Sequence, residues 1–273
     1  MRSAVIDLQE ALGTFVSNSE IEPRPGSMAS AELEGWGDEE DLKTAYGQGH
    51  LYVESASDHL YGLTRLLQEP AATIACWTCT RGSLEAAAFA SWIFSPSIGA
   101  SKRVARSMSL RFHAVAEDVK FARATGRKND LKLSSERLTH IIQQAEKRSI
   151  EVFWHKKKPV AVGVRVPSAT DLIRKVFGDE GAYRLTSAVA HSRSNILAQS
   201  SFRQASADDP LLLTKGISNA SVAWLLMLGV EALSRSTWAR AQLFGHDTSA
   251  LKSILEDGFD EVGLKSSLRF WRS

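Results

Sequence analysis

Apolar residues recur at steps of three and four along most of the chain, the period of a helix with one face turned to a core. The clearest stretch is 100–124, where Val104, Met108, Phe112, Val115, Val119 and Ala122 form a stripe. Lys102, Arg106, His113 and Lys120 stand opposite, so this helix is expected to have a solvated basic face. Upstream, Leu60, Leu63 and Leu67 give way after Pro70 to Ile74, Cys79, Ala86, Phe89 and Ile93, which predicts two packed helices. Downstream, the polar break at 126–130 is followed by helical spacing over 133–150 through Leu138, Ile141, Ile142 and Ala145.

The period then changes. Val160, Val162, Val164 and Val166 alternate with other residues behind Val152, Phe153 and Trp154, which is strand spacing with β-branched content. A short β-hairpin near 151–166 is expected, with Lys156, Lys157 and Lys158 at its tip. Ser168 and Asp171 look like a cap opening a helix to about Phe177, ended by Gly178. Further helices are expected over 182–199 and 219–244, the latter stopped by Gly245. At the other end, a short N-terminal helix precedes a linker at 20–40 that holds Pro23, Pro25, Gly26, Gly35 and Gly37. The expectation is an all-α bundle of six to eight helices with that one β excursion. Its organisation would be 1–40 as helix and linker and 41–273 as the bundle, with a subdivision near 126–167.

Composition narrows the classes rather than choosing one. The 273 residues are 44% hydrophobic and 23% charged, ordinary for an ordered globular chain. Thirty-three basic against 31 acidic residues give +2, so any preference for nucleic acid must come from local patches. Such a patch exists at 101–128, with eight basic residues against two acids. The candidate nucleic-acid contacts are therefore Lys102, Arg103, Arg106 and Lys120, joined by Lys156, Lys157 and Lys158. The run 221–233 is interrupted by Glu231 and too short to span a bilayer, so no membrane association is expected. Its Trp224, Met227 and Leu233 read as a core or dimer stripe. With acids at Asp7 and Glu10, the N-terminus does not read as a signal peptide, and a cytoplasmic location is the default expectation. Cys76 and Cys79 have CxxC spacing without a second pair, which fits buried thiols; no metal or cofactor is expected.

Catalytic candidates come from Arg–His spacing. Arginine holds phosphate through parallel N–H donors, and histidine exchanges protons near neutrality. Arg184 and His191, with six residues between them, would fall on one helix face two turns apart. Ser187, Ala188 and Ala190 beside them are small enough for a backbone to approach. Arg106 with His113 and Arg148 with His155 share that spacing, and Arg240 with His246 has five residues between. The last two leave helical sequence, and the first lies on the basic face.

The pair Arg184 and His191 resembles the Arg-x4–6-His signature of HEPN-domain proteins, although Leu185 stands where the family usually has a polar residue. That family consists of helical bundles, many acting as metal-independent ribonucleases in toxin–antitoxin and phage-defence systems. The resemblance implies a homodimer cleft holding Arg184 and His191, RNA as partner, and attack of a ribose 2′-hydroxyl on the adjoining phosphodiester. It also implies that polar residues of another helix can line the cleft. Arg81 and Glu85, one turn apart, are such residues and read foremost as an i,i+4 ion pair. Two other functions fit the sequence: a non-enzymatic interaction scaffold, and a DNA-binding regulator using 156–158 as a basic wing.

Overall fold

A computed structural model describes residues 2–18, 22–37, 39–68, 71–204 and 213–261. Among these, eleven helices and two antiparallel strand pairs are present. The mainly helical class and the short hairpin agree with expectation. The number of helices does not, because the expected linker holds one, the segment 182–199 is divided in two, and another follows Gly245. Pro70, expected as a helix break, lies outside the described residues, as does Glu20.

The chain forms two compact units, and neither is continuous in sequence. The first comprises Met1–Ala29, Gly49–Ser95 and Ala169–Ser273; the second comprises Ser30–Gln48 and Pro96–Ser168. Helix α3 (Glu39–Leu66), which follows α1 (Arg2–Asn18) and α2 (Met28–Gly35), contributes to both.

In the first unit, α4 (Ala75–Phe94) is the central element. Its Trp77, Leu84, Ala87, Ala90, Ile93 and Phe94 are all buried, and its many small residues let neighbours come close on several sides. At Gly82 a Cβ would lie 2.5 Å from the His59 ring, so a larger residue there would displace that ring. The unit also holds α7 (Ala169–Phe177), α8 (Glu180–Ala190), α9 (Ser194–Ser201), α10 (Asn219–Phe244) and α11 (Thr248–Glu261). Helices α7, α8 and α10 pack on α4.

The apolar run of α10 is core: Leu225, Leu226, Leu228, Val230 and Leu233 are buried, and the Trp224 ring tilts against Trp77 at 6.0 Å. Each such leucine contributes roughly 1.5–3 kcal/mol of burial. Ser218 caps α10 by accepting the Ser221 N–H, and Gly245 at φ 70 stops it. The strands at 202–204 and 213–215, unforeseen in sequence, pair antiparallel in this unit.

The second unit is built on α5 (Ala100–Ala124) and α6 (Lys128–Lys147), joined by a turn in which Gly126 takes φ 69. The expected core stripe is present, with Val104, Met108, Phe112 and Ala122 buried. Lys102, His113 and Lys120 of the expected basic face are exposed, and the correction falls on Arg106 and on the candidate contact Arg103. Arg103 is 0% exposed and Arg106 only 7%. Arg103 grips Glu32 of α2 in bidentate fashion, at 2.8 and 2.9 Å, and the Tyr46 hydroxyl donates to the same carboxylate at 2.7 Å. Strand β1 (Val152–His155) pairs with β2 (Lys158–Val162), His155 opposite Lys158. Lys156 and Lys157 make the two-residue turn at φ 46 and 62, the left-handed pairing that suits a hairpin's twist. Behind it, Gly163 at φ 70 lies so close to α5 that a Cβ would meet the Ala105 carbonyl oxygen at 2.6 Å.

Candidate functional site

Helix α8 starts at Asp179, whose side chain accepts the Ala182 N–H, and this sets the orientation of the residues that follow. Tyr183 turns inward to α4 at 7% exposure, so Arg184, about 100° further round, turns outward. The helix closes at His191. The Ser192 N–H returns to Val189 O and the Arg193 N–H to Ala188 O, a Schellman end with Ser192 at φ 54. His191 is thus held at the C-cap, one position past the last helical residue, exposed, rather than inside a continuous helix.

What gathers there is a four-residue cluster between α4 and α8. Arg81 Nη1 lies 3.0 Å from His191 Nε2, and Arg81 Nε donates to Glu85 Oε1 at 2.9 Å. The Tyr183 hydroxyl donates to that same Glu85 oxygen at 2.7 Å, and the Arg81 guanidinium carbon lies 5.8 Å from the Tyr183 ring centre. A guanidinium only donates, so Nε2 of His191 is the acceptor in this contact. Burial alone would lower the Arg81 pKa, but the Glu85 carboxylate and Tyr183 outweigh it and the pKa is raised. Burial, then the hydrogen bond and charge of Glu85, raise the Tyr183 pKa as well. The cluster therefore joins a guanidinium, an imidazole, a carboxylate and a phenol.

Arg184 is engaged elsewhere. Its Nε pairs with Glu180 at 2.6 Å, and Glu180 also meets Arg174 at 3.3 Å. Arg184 and His191 share a side of α8 about 10 Å apart along the axis, and no hydrogen bond joins them among the described residues. Spacing alone does not reveal that the cation nearest His191 is Arg81, 110 positions upstream. Arg81 and Glu85 do form the i,i+4 pair foreseen, but the link to His191 and the part of Tyr183 depend on how α8 lies on α4.

In comparisons with known proteins, no family model, no curated protein and no solved structure matches this chain.

The other candidates are dispersed. Lys102 is exposed, and Lys120 is exposed with Glu117 at 2.6 Å. Lys156, Lys157 and Lys158 are exposed at the hairpin tip, beside Trp154 at 55% exposure. Arg106 is buried, and desolvation beside Arg103 pushes its pKa down to about 10. Arg148 pairs with Asp41, and Arg240 is buried against His50. Burial pushes the Cys76 thiol up to about 12 and raises that of Cys79, which leaves little thiolate at neutral pH. Among the described residues, no group of three or more His, Cys, Asp or Glu is placed to hold a metal ion, and no helix is long and apolar enough to cross a membrane.

Proposed function

We propose that this chain is a HEPN-like RNA-binding protein that cuts RNA at the α4–α8 cluster without a metal, working as a homodimer. The observation that carries the reading is the 3.0 Å contact between Arg81 and the exposed His191. It sets a cation able to bind phosphate against an imidazole nitrogen at a solvent-facing helix end.

In the free protein Arg81 occupies the basic nitrogen of His191. A bound phosphodiester competes for the Arg81 Nη1 while Nε stays on Glu85, and Nε2 is released to take the 2′-hydroxyl proton. The 2′-oxygen then attacks phosphorus, the 5′-oxygen leaves with a proton from solvent, and a 2′,3′-cyclic phosphate remains. Arg184, 68% exposed on the same side of α8, is available to hold a neighbouring phosphate. A second copy laid along this side would complete the cleft.

The test is cleavage of end-labelled RNA in EDTA. Wild type is expected to cut, His191→Ala to lose at least a hundredfold in rate, and Arg184→Ala and Arg81→Ala to lose tenfold or more. A folded wild-type dimer that leaves RNA intact, or a His191→Ala variant as fast as wild type, rules out the enzymatic reading.

A further inference from the structure

A groove of about 530 Å³ in the second unit opens along α5 and α6, a size that accepts a nucleotide-sized ligand. Two arginines and a histidine line it: Arg111 from α5, and Arg137 and His140, one turn apart, from α6. None of the three makes a hydrogen bond or ion pair among the described residues. Arg137 and His140 are exposed, but Arg111 is partly buried. Desolvation lowers the Arg111 pKa, and no neighbouring carboxylate opposes that effect. A half-buried guanidinium without an anion is costly.

The rest of the lining defines the ligand further. Val115 and Ile141 give the groove apolar walls on both helices, suited to a flat ring system. Glu136 supplies a carboxylate whose neighbouring cation, Lys132, is 3.9 Å away. Gln48 from α3 also lines the groove, and its buried amide oxygen has no hydrogen-bond partner. Both are acceptors, so the ligand's neutral part carries N–H or O–H donors. Two guanidiniums with His140 beside them outnumber the one carboxylate, which suits a phosphate group.

We infer that this groove binds a nucleoside monophosphate or a phosphate ester of that chemistry. The phosphate rests on Arg111, Arg137 and His140, and the ring system lies between Val115 and Ile141. The inference is independent of the RNA reading of the α4–α8 cluster.

Isothermal titration of the full chain with 5′-AMP, inorganic phosphate and adenosine tests it. AMP is expected to bind at least tenfold more tightly than phosphate or adenosine. Arg111→Met is expected to weaken AMP binding at least tenfold without lowering the melting temperature, and Arg111→Lys to weaken it less. Should Arg111→Met fold poorly, Arg137→Met is expected to give a loss of at least threefold. AMP that binds no better than phosphate overturns the inference. So does AMP binding that survives Arg111→Met and Arg137→Met, or that is lost in His191→Ala, which would place the ligand at the other site.

Discussion

At His50 a half-buried ring meets two aromatic edges and a guanidinium. Phe94 and Phe244 each lie edge-on at 5.3 Å, and Arg240 Nη1 is 3.3 Å from Nδ1. Burial first, then the charges of Arg240 and His246, lower the His50 pKa to about 4. Between pH 4 and the ordinary histidine value near 6.5, the unfolded chain therefore binds a proton that the folded chain does not. Stability rises with pH across that window and levels off above it. The contribution is on the order of 3 kcal/mol. Urea unfolding at pH 5 and pH 7 is expected to show a smaller difference for His50→Gln than for wild type; equal differences would contradict this. Nothing in the sequence marks His50, just as nothing marks Arg103 and Arg106 as buried. Their spacing puts them on a basic strip, but whether a cation is solvated depends on partners such as Glu32, 71 positions from Arg103.

Helix type and extent were legible where the apolar stripe and the end signals coincide. Helix α5 runs over the expected residues, and α10 does so between Ser218 and Gly245. Where a serine takes the role usual for glycine, the boundary is silent. Ser192 and Ser149 both hold left-handed φ after a helix, at 54 and 55, so periodicity carries the eye past the end of α8. That end is what brings His191 to Arg81. Ser192→Gly, which removes the strain of a Cβ at positive φ, is expected to stabilise the chain by about 0.5–1 kcal/mol in thermal unfolding. A lower melting temperature would mean that the serine side chain matters more than its backbone. The hairpin was legible through alternation in 158–162, while the pairing of 202–204 with 213–215 involves strands too short for any period to show.

At the scale of the molecule, chain order conceals the architecture, because each compact unit is assembled from separated pieces. In the second unit the pieces are tied by ion pairs, Arg103 with Glu32 and Arg148 with Asp41. Glu32→Ala removes the carboxylate that the buried Arg103 grips through Nε and Nη2, and an equilibrium urea titration is expected to show a loss of about 3–5 kcal/mol. A change under 1 kcal/mol would show that water replaces the carboxylate. The candidate site has the same origin: its histidine was visible in sequence, and its nearest cation, carboxylate and phenol came together only through the packing of α8 on α4. The most direct measurement is cleavage, in EDTA, of a labelled DNA strand carrying one internal ribonucleotide, by wild type and by His191→Ala. The account predicts a single cut 3′ of the ribonucleotide, ending in a 2′,3′-cyclic phosphate, and none from the variant. An intact strand with the folded wild type, or an equal cut by both proteins, would contradict it.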